Sequence, residues 1–230
     1  MVHIDVLVTA GGRGSRMRDV PGEKPLVPVL GKPMIDRVLD ALAKARGTGQ
    51  LVVSVSENTP LTTDHLRSRG IEIVGTSGSD YVADLRQALK HLRSSEVLVC
   101  PADLPLITSV GVEAVLSHFR RAGVSSLSVA VPADLVRSLG AFPSYVLEEN
   151  GREIVVCGAS VVDREQMLSG ATLSQGFAVI EDEQFALNVN TREELRRAEE
   201  LLRRRERANT SDGPHGAGKA PRRMNGAPLL

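Results

Sequence analysis

Two hydrophobic periods alternate along this chain. Val6 to Val8 is a β-branched run suited to a central strand, and Leu51 to Val55, Ile71 to Val74 and Val97 to Cys100 repeat the pattern. Between these runs the apolar positions take helical spacing. Ile35, Val38, Leu39 and Leu42 follow Pro33, Thr63 to Arg69 can form a short helix ending before Gly70, and Val82, Leu85, Leu89 and Leu92 make a stripe from near Asp80. Val112, Val115, Leu116 and Phe119 form another stripe, and Ser125 to Val131 returns as a strand. Strands and helices in alternation predict an α/β fold whose mainly parallel sheet is covered on both faces.

Two stretches depart from the alternation. Ser144 to Val162 reads as two strands around Asn150-Gly151, a hairpin that adds antiparallel strands to one side of the sheet and shapes an acceptor pocket. Thr191, with Glu194 three residues on, makes a capping box for a last helix whose inner face is Leu195, Ala198, Leu201 and Leu202. The Arg and Glu residues of that helix read as a solvated face. From Ala208 to Leu230 the composition turns to Gly, Pro, Asn and Ala, predicting one domain over residues 1–207 and a disordered tail over 208–230.

Composition removes several function classes. The 28 basic and 28 acidic residues cancel, so no global field draws nucleic acid or an anionic membrane. Aromatics are 3% of the chain and tryptophan is absent, which leaves no base-stacking platform for single strands. Cys100 and Cys157 stand far apart without a CxxC unit, as reduced core thiols of a soluble, cytoplasmic protein would. No membrane-spanning run or signal peptide is expected. The five histidines lack metal-ligand spacing, and no Ser–His–Asp or Cys–His arrangement is suggested.

The chemistry concentrates after the first strand, in Ala10-Gly11-Gly12-Arg13-Gly14-Ser15-Arg16-Met17 and then Glu23-Lys24-Pro25-Leu26. Glycines at 11, 12 and 14 let the backbone turn sharply and bring N–H groups to an anion, and Arg13, Arg16 and Lys24 add the charge to hold phosphates. Met17 stands where a dinucleotide fingerprint needs a third glycine, and the Gly-Lys-Ser/Thr ending of a P-loop is missing. A plain strand-to-helix turn is the rival reading of the glycines alone. In an open α/β sheet, ligands bind beyond the carboxyl ends of the strands, so this loop, Thr76-Ser77-Gly78 and Asp103 should converge on one site.

These residues resemble the nucleotidyltransferases that carry an Ala-Gly-Gly-x-Gly-x-Arg-Met signature followed by a lysine. Within that group the chain is most similar to the archaeal GTP:adenosylcobinamide-phosphate guanylyltransferases. The likeness runs from about Ile4 to about Leu202 through Ala10 to Met17, Glu23 to Leu26, Asn58-Thr59-Pro60, Thr76-Ser77-Gly78 with Tyr81 and Asp84-Leu85, Asp103-Leu104, and Asn188-Val189-Asn190-Thr191. The resemblance implies a three-layer α/β/α Rossmann-like nucleotidyltransferase fold. It also implies Mg²⁺ as cofactor and guanylyl transfer from GTP to adenosylcobinamide phosphate, giving adenosylcobinamide-GDP and pyrophosphate in cobalamin biosynthesis. Nucleic acid and membrane insertion are not expected, and a homodimer is compatible with the sequence.

Carried onto this chain, the resemblance places Ala10, Gly11, Gly12, Arg13, Gly14, Ser15, Arg16 and Lys24 on the phosphates. Arg16, Lys24 and Asp103 become the catalytic set. Asp103, three residues past an apolar strand, reads as a Mg²⁺ ligand or as part of an Asp-Leu-Pro turn, and the resemblance favours the metal, with Asn190 as second ligand. Asn188 and Asn190 flank Val189, so in extended backbone both side chains point to the same side. Thr76, Ser77, Gly78, Tyr81 and Asp84 resemble the segment that meets the guanine base. The Asp84 carboxylate reads either as acceptor for guanine or as a helix-start charge, and Asp80 stands where glycine is expected. Gly158 resembles an acceptor-side glycine, with a strand bulge as its alternative, and Asn188 is assigned to the acceptor as well.

The open alternatives are molybdenum-cofactor guanylyltransferases, which usually carry Asp-Lys where this chain has Glu23-Lys24, and sugar-1-phosphate nucleotidyltransferases, which usually place proline before the lysine. A non-catalytic GTP-binding module of the same fold is a third. The presence of Arg16, Lys24, Asp103 and Asn190 together argues against a retired site.

Overall fold

A computed structural model describes residues 3–17, 20–143 and 145–211. The first strand, β1 (Ile4–Thr9), alternates as a strand buried on both faces must: Ile4, Val6 and Val8 enter one hydrophobic cluster and Leu7 the other. A small hairpin of β2 (Pro28–Val29) and β3 (Lys32–Pro33) leads into α1 (Met34–Lys44), which buries Ile35, Val38, Leu39 and Leu42. Then come β4 (Thr48–Ser56), α2 (Pro60–Ser68), β5 (Glu72–Thr76), α3 (Tyr81–Leu89) and β6 (Glu96–Pro101). The α2 helix starts three residues before the expected Thr63, because Pro60 is well placed in a first helical turn. Asp80 explains itself here: its carboxylate accepts from Val82 N at 2.9 Å and Ala83 N at 3.1 Å, capping α3.

The second half comprises α4 (Ser109–Ala122), β7 (Ser126–Pro132), α5 (Ala133–Ser138), β8 (Val146–Glu149), β9 (Arg152–Asp163), α6 (Arg164–Ser169), β10 (Gln175–Val179), α7 (Glu183–Ala186) and α8 (Arg192–Ser211). The main sheet runs β10-β7-β9-β6-β1-β4-β5, with β8 paired to β9 outside this path. Pairs β1–β4, β1–β6, β4–β5 and β10–β7 are parallel. One cluster takes in side chains of α1, α2 and α4, the other those of α3 and α6, so the sheet is the middle of three layers.

The expected hairpin forms, with Asn150 and Gly151 both at positive φ (51° and 75°), as a two-residue turn matching strand twist requires. Its place differs from the expectation. Instead of extending one side, the 12-residue β9 lies between β6 and β7, antiparallel to both. Its apolar residues on both faces, Ile154, Cys157, Ala159, Val161 and Val162, suit that buried place. A hairpin signal fixes the pairing of β8 with β9 and is silent on where the longer strand inserts.

At the last helix Thr191 Oγ1 accepts from Glu194 N at 3.2 Å, while the Glu194 carboxylate accepts from Asn190 N at 2.7 Å, one residue before its usual partner. The helix continues through Ser211, into the first residues of the segment read as a tail, and residues 212–230 lie outside the described residues. Among the described residues no helix is long and apolar enough to cross a membrane.

Candidate active site

The loops after the parallel strands β1, β5 and β6 leave the same carboxyl end of the sheet, and a fourth segment, Asn188-Val189-Asn190, is tied beside them by Val189 N donating to Asp103 O at 2.9 Å. At their meeting point Lys24 Nζ donates to Asp103 Oδ2 at 2.5 Å and to Asn190 Oδ1 at 2.8 Å. Arg16 reaches the same Asn190 oxygen at 3.0 Å. Asn188 Nδ2 donates to Asp103 Oδ1 at 2.7 Å and to Cys157 O at 3.0 Å, which orients the carboxylate from its other side. Both asparagines thus reach the Asp103 cluster, one from each flank of the buried Val189.

The glycine loop is shaped for approach. Gly14 has φ 58°, and an added Cβ there would sit 3.1 Å from Lys24 Cβ, whereas one on Gly12 would meet nothing within 4 Å. Gly12 therefore presents bare backbone to open space. Ala10 is fixed by its N–H to Ser54 O and the loop's far end by the buried Met17. Ser15 is exposed at the start of the following turn, and Arg13, also exposed, lines a side cavity together with Glu23, Lys24 and Asn58.

On the β5 side, the Asp84 carboxylate accepts from Ser77 N (2.9 Å), Ser77 Oγ (2.8 Å) and Gly78 N (2.9 Å). Neither sequence reading described this bracing role. Gly78, at φ 67°, has no room for a Cβ, which would lie 2.4 Å from Asn58 Nδ2 and 2.5 Å from Ser56 Oγ. Asn58 Nδ2 in turn donates to Gly11 O and Gly78 O, linking the glycine loop to the β5 loop. Thr76 Oγ1 donates to Val55 O.

Three further cavities lie at or next to the cluster. The central one, about 150 Å³, is lined by Gly12, Gly14, Arg16, Lys24, Asp103 and Asn190. A second, about 370 Å³, opens toward Thr76, Gly78, Tyr81 and Asp84. The third, about 330 Å³, is lined by Asp103, Asn188, Asn190 and Gly158 at one end and by apolar residues of the α5–β8 loop and β9 at the other. Arg16, Asp103 and Asn190 are shared by the first and third, Gly12 by the first and second, and Tyr81 by the second and third. Gly158, at φ 82°, lies where the β7–β9 register slips, so it is a bulge glycine that also lines a cavity.

The donor set suits a hard cation. One carboxylate oxygen and one amide oxygen converge on the Lys24 ammonium, and Mg²⁺ typically takes one or two carboxylates and completes its shell with substrate phosphates and water. Among the described residues no group of three or more His, Cys, Asp and Glu could hold a metal by protein ligands alone. Cysteine chemistry is not offered: burial raises the Cys157 thiol to about 12 and the Cys100 thiol well above its ordinary range.

Glu23 and Asn58 have structural roles that their sequence context does not disclose. The Glu23 carboxylate accepts from Leu61 N and Thr62 N, each at 2.7 Å, and Thr62 Oγ1 at 2.6 Å, capping α2 from a distant segment while Thr59 makes no side-chain cap. That anchor fixes the residue next to Lys24.

Residues 6–148 match the model of the MobA-like NTP transferase domain. The chain belongs to this family. Over 87% of its length it is 28% identical to the adenosylcobinamide-phosphate guanylyltransferase of Methanocaldococcus jannaschii, 98% of which is covered. Among solved structures, a CMP:2-keto-3-deoxy-manno-octonic acid synthetase complexed with CTP superposes with a TM-score of 0.64 at 15% identity, covering 89% of this chain and all of that one. A hypothetical transferase of Thermus thermophilus gives the same TM-score at 20% identity, covering 84% of this chain and all of that one. At these identities the two structures speak for the fold, a nucleotidyltransferase fold for this MobA-like domain.

Proposed function

We propose that this MobA-like domain transfers GMP from GTP to adenosylcobinamide phosphate, forming adenosylcobinamide-GDP and releasing pyrophosphate. What carries the reading is the near full-length likeness to a relative of that activity, combined with a cation–carboxylate cluster that lines one cavity and a second cavity that meets the first at Tyr81. One cavity suits a nucleoside and the other an acceptor.

The acceptor phosphomonoester has a second pKa near 6, so it is largely ionised at neutral pH and needs no protein base. One of its oxygens bonds to the α-phosphorus of GTP, the α–β bridging P–O bond breaks, and its electron pair leaves on pyrophosphate. Arg16 and the N–H groups of Gly11 to Gly14 hold the β- and γ-phosphates, and Lys24 neutralises charge at the α-phosphate. Asp103 and Asn190 would hold Mg²⁺, which spreads the phosphate charge when bound. Asn188 orients Asp103, and Asp84 holds Ser77 and Gly78 as the wall on which guanine is positioned.

Calorimetric titration with GTP and ATP in the presence of Mg²⁺, followed by pyrophosphate assay on adding adenosylcobinamide phosphate, tests the reading. Selective GTP binding with acceptor-dependent release supports it. GTP binding without release overturns the acceptor, and absence of GTP binding overturns guanylyl transfer.

A further inference from the structure

The chain has four phenylalanines and two tyrosines, and their distribution is uneven. Phe185 is buried and Phe119 and Phe177 are partly buried, as core packing requires. Phe142, Tyr145 and Tyr81 are 90%, 64% and 60% exposed. Phe142 and Tyr81 both line the acceptor-side cavity, and Tyr145 precedes Val146, the β8 residue paired with the cavity residue Val155. Two of the six aromatic rings thus stand exposed on one cavity, and a third, Tyr145, is exposed one residue before the strand that flanks it. Exposed aromatic side chains gathered on a cavity mark a binding face.

Volume decides what the face can meet. The cavity holds about 330 Å³, at the low end for small-molecule pockets, and its polar residues Asp103, Asn188 and Asn190 gather at one end. A phosphate on a short flexible arm fits there, while a corrinoid ring with its amide side chains exceeds that space. The ring must stay outside, where Phe142 stands exposed and the exposed Tyr145 follows three residues on. An aromatic side chain offers rigid apolar area at low conformational cost, and the face of a planar macrocycle is a matching surface.

We propose that Phe142 and Tyr145 form a platform for the macrocyclic body of the acceptor, so that only its phosphorylated arm enters the cavity. This rests on the acceptor proposed above. Tyr81 also lines the nucleotide cavity, so Phe142 and Tyr145 are the cleaner probes.

The test compares wild type with Phe142→Ala/Tyr145→Ala in two measurements. In the first, pyrophosphate release is followed with adenosylcobinamide phosphate and, separately, with the phosphorylated aminopropanol arm alone. The variant should raise KM for the full acceptor about tenfold, the order expected when aromatic contact is lost, with little change in KM for GTP or in the kinetics of the arm. In the second, equilibrium dialysis measures adenosylcobinamide lacking its phosphate, which should bind wild type and lose about tenfold in the variant. Transfer by wild type with equal full-acceptor KM in both proteins overturns the platform alone. Absence of transfer by wild type overturns the guanylyltransferase reading, and the platform falls with it. Matching Tm values for the two proteins exclude misfolding as the cause.

Discussion

Two carboxylates at opposite ends of the same sheet show how differently this fold uses one functional group. Asp5, in the N-terminal half of β1, is 5% exposed and accepts from the backbone N–H groups of Gln50, Arg93 and Ser94 at 2.8–2.9 Å. Gly49 leaves it room, since a Cβ there would come within 2.5 Å of Asp5 Oδ1. Asp103, beyond β6 at the other end, has among the described residues only side-chain donors on its carboxylate, Lys24 and Asn188, and borders two cavities. Backbone donors cannot leave without unfolding something, whereas an ammonium and an amide can change partner when a ligand arrives. The first arrangement builds structure and the second leaves chemistry available.

The largest effect should fall on the second carboxylate. Asp103→Asn and Lys24→Ala should each lower turnover about 10²–10³-fold, the scale of losing one preorganised charge stabiliser. Unfolding free energy should move by no more than about 1 kcal/mol, as for a partly exposed ion pair. Chemical denaturation beside initial rates checks both halves. A variant that loses stability and activity in proportion would erase the distinction between the two ends.

Asp5→Asn should behave in the opposite way, costing about 1–3 kcal/mol of stability, because all three backbone donors lose a charged acceptor and at least one of them meets an amide NH2 instead, while turnover of the folded enzyme at low temperature stays near wild type. Burial pushes the Asp5 carboxyl up, and the N–H groups of Ser94, Arg93 and Gln50 with the Ser94 hydroxyl more than reverse this, leaving it below the ordinary 3.8. A folded-state value below the unfolded one gives stability that is fully present above 3.8 and lost as pH falls through the folded value. The gap between wild type and Asp5→Asn should therefore be widest at neutral pH and narrow below pH 3.8, which urea titrations across that range would show.

The same contrast separates what the sequence discloses from what it hides. Val6 to Val8 with Gly11, Gly12 and Gly14 is legible because β-propensity and glycine turns are local properties. The meeting of Lys24 with Asp103, 79 residues apart, was reachable through the rule that strand ends gather ligands. The insertion of β9 between β6 and β7 was not, since hairpin turns specify local pairing while the neighbours of a long apolar strand are decided by burial across the whole sheet. Strand β10, with only Ala178 buried, carries too weak an alternation to announce itself. Asp84 illustrates a further limit: charge and helix position suggested a base contact or a dipole effect, and only the fold of the β5 loop reveals three donors aimed at it.

Glu23 sharpens the comparison most finely, because it has backbone donors like Asp5 yet stands next to Lys24. Its oxygens accept from Leu61 N, Thr62 N and Thr62 Oγ1, so Glu23→Gln retains one acceptor oxygen and turns an amide NH2 against one of the two N–H groups. The N-terminus of α2 then loses part of its cap, a whole cap being worth about 0.5–2 kcal/mol. The Lys24 segment loses its tether at the same time, and kcat should drop about tenfold, since small misplacement of a positioned charge weakens transition-state contact more than ground-state binding. Thr62→Ala removes one of the three donors and should give a smaller step in the same direction, with GTP KM changing less than kcat in both. If kcat holds while Tm falls, Glu23 belongs with Asp5 as a structural acid, and Lys24 is positioned by Asp103 and Asn190 alone.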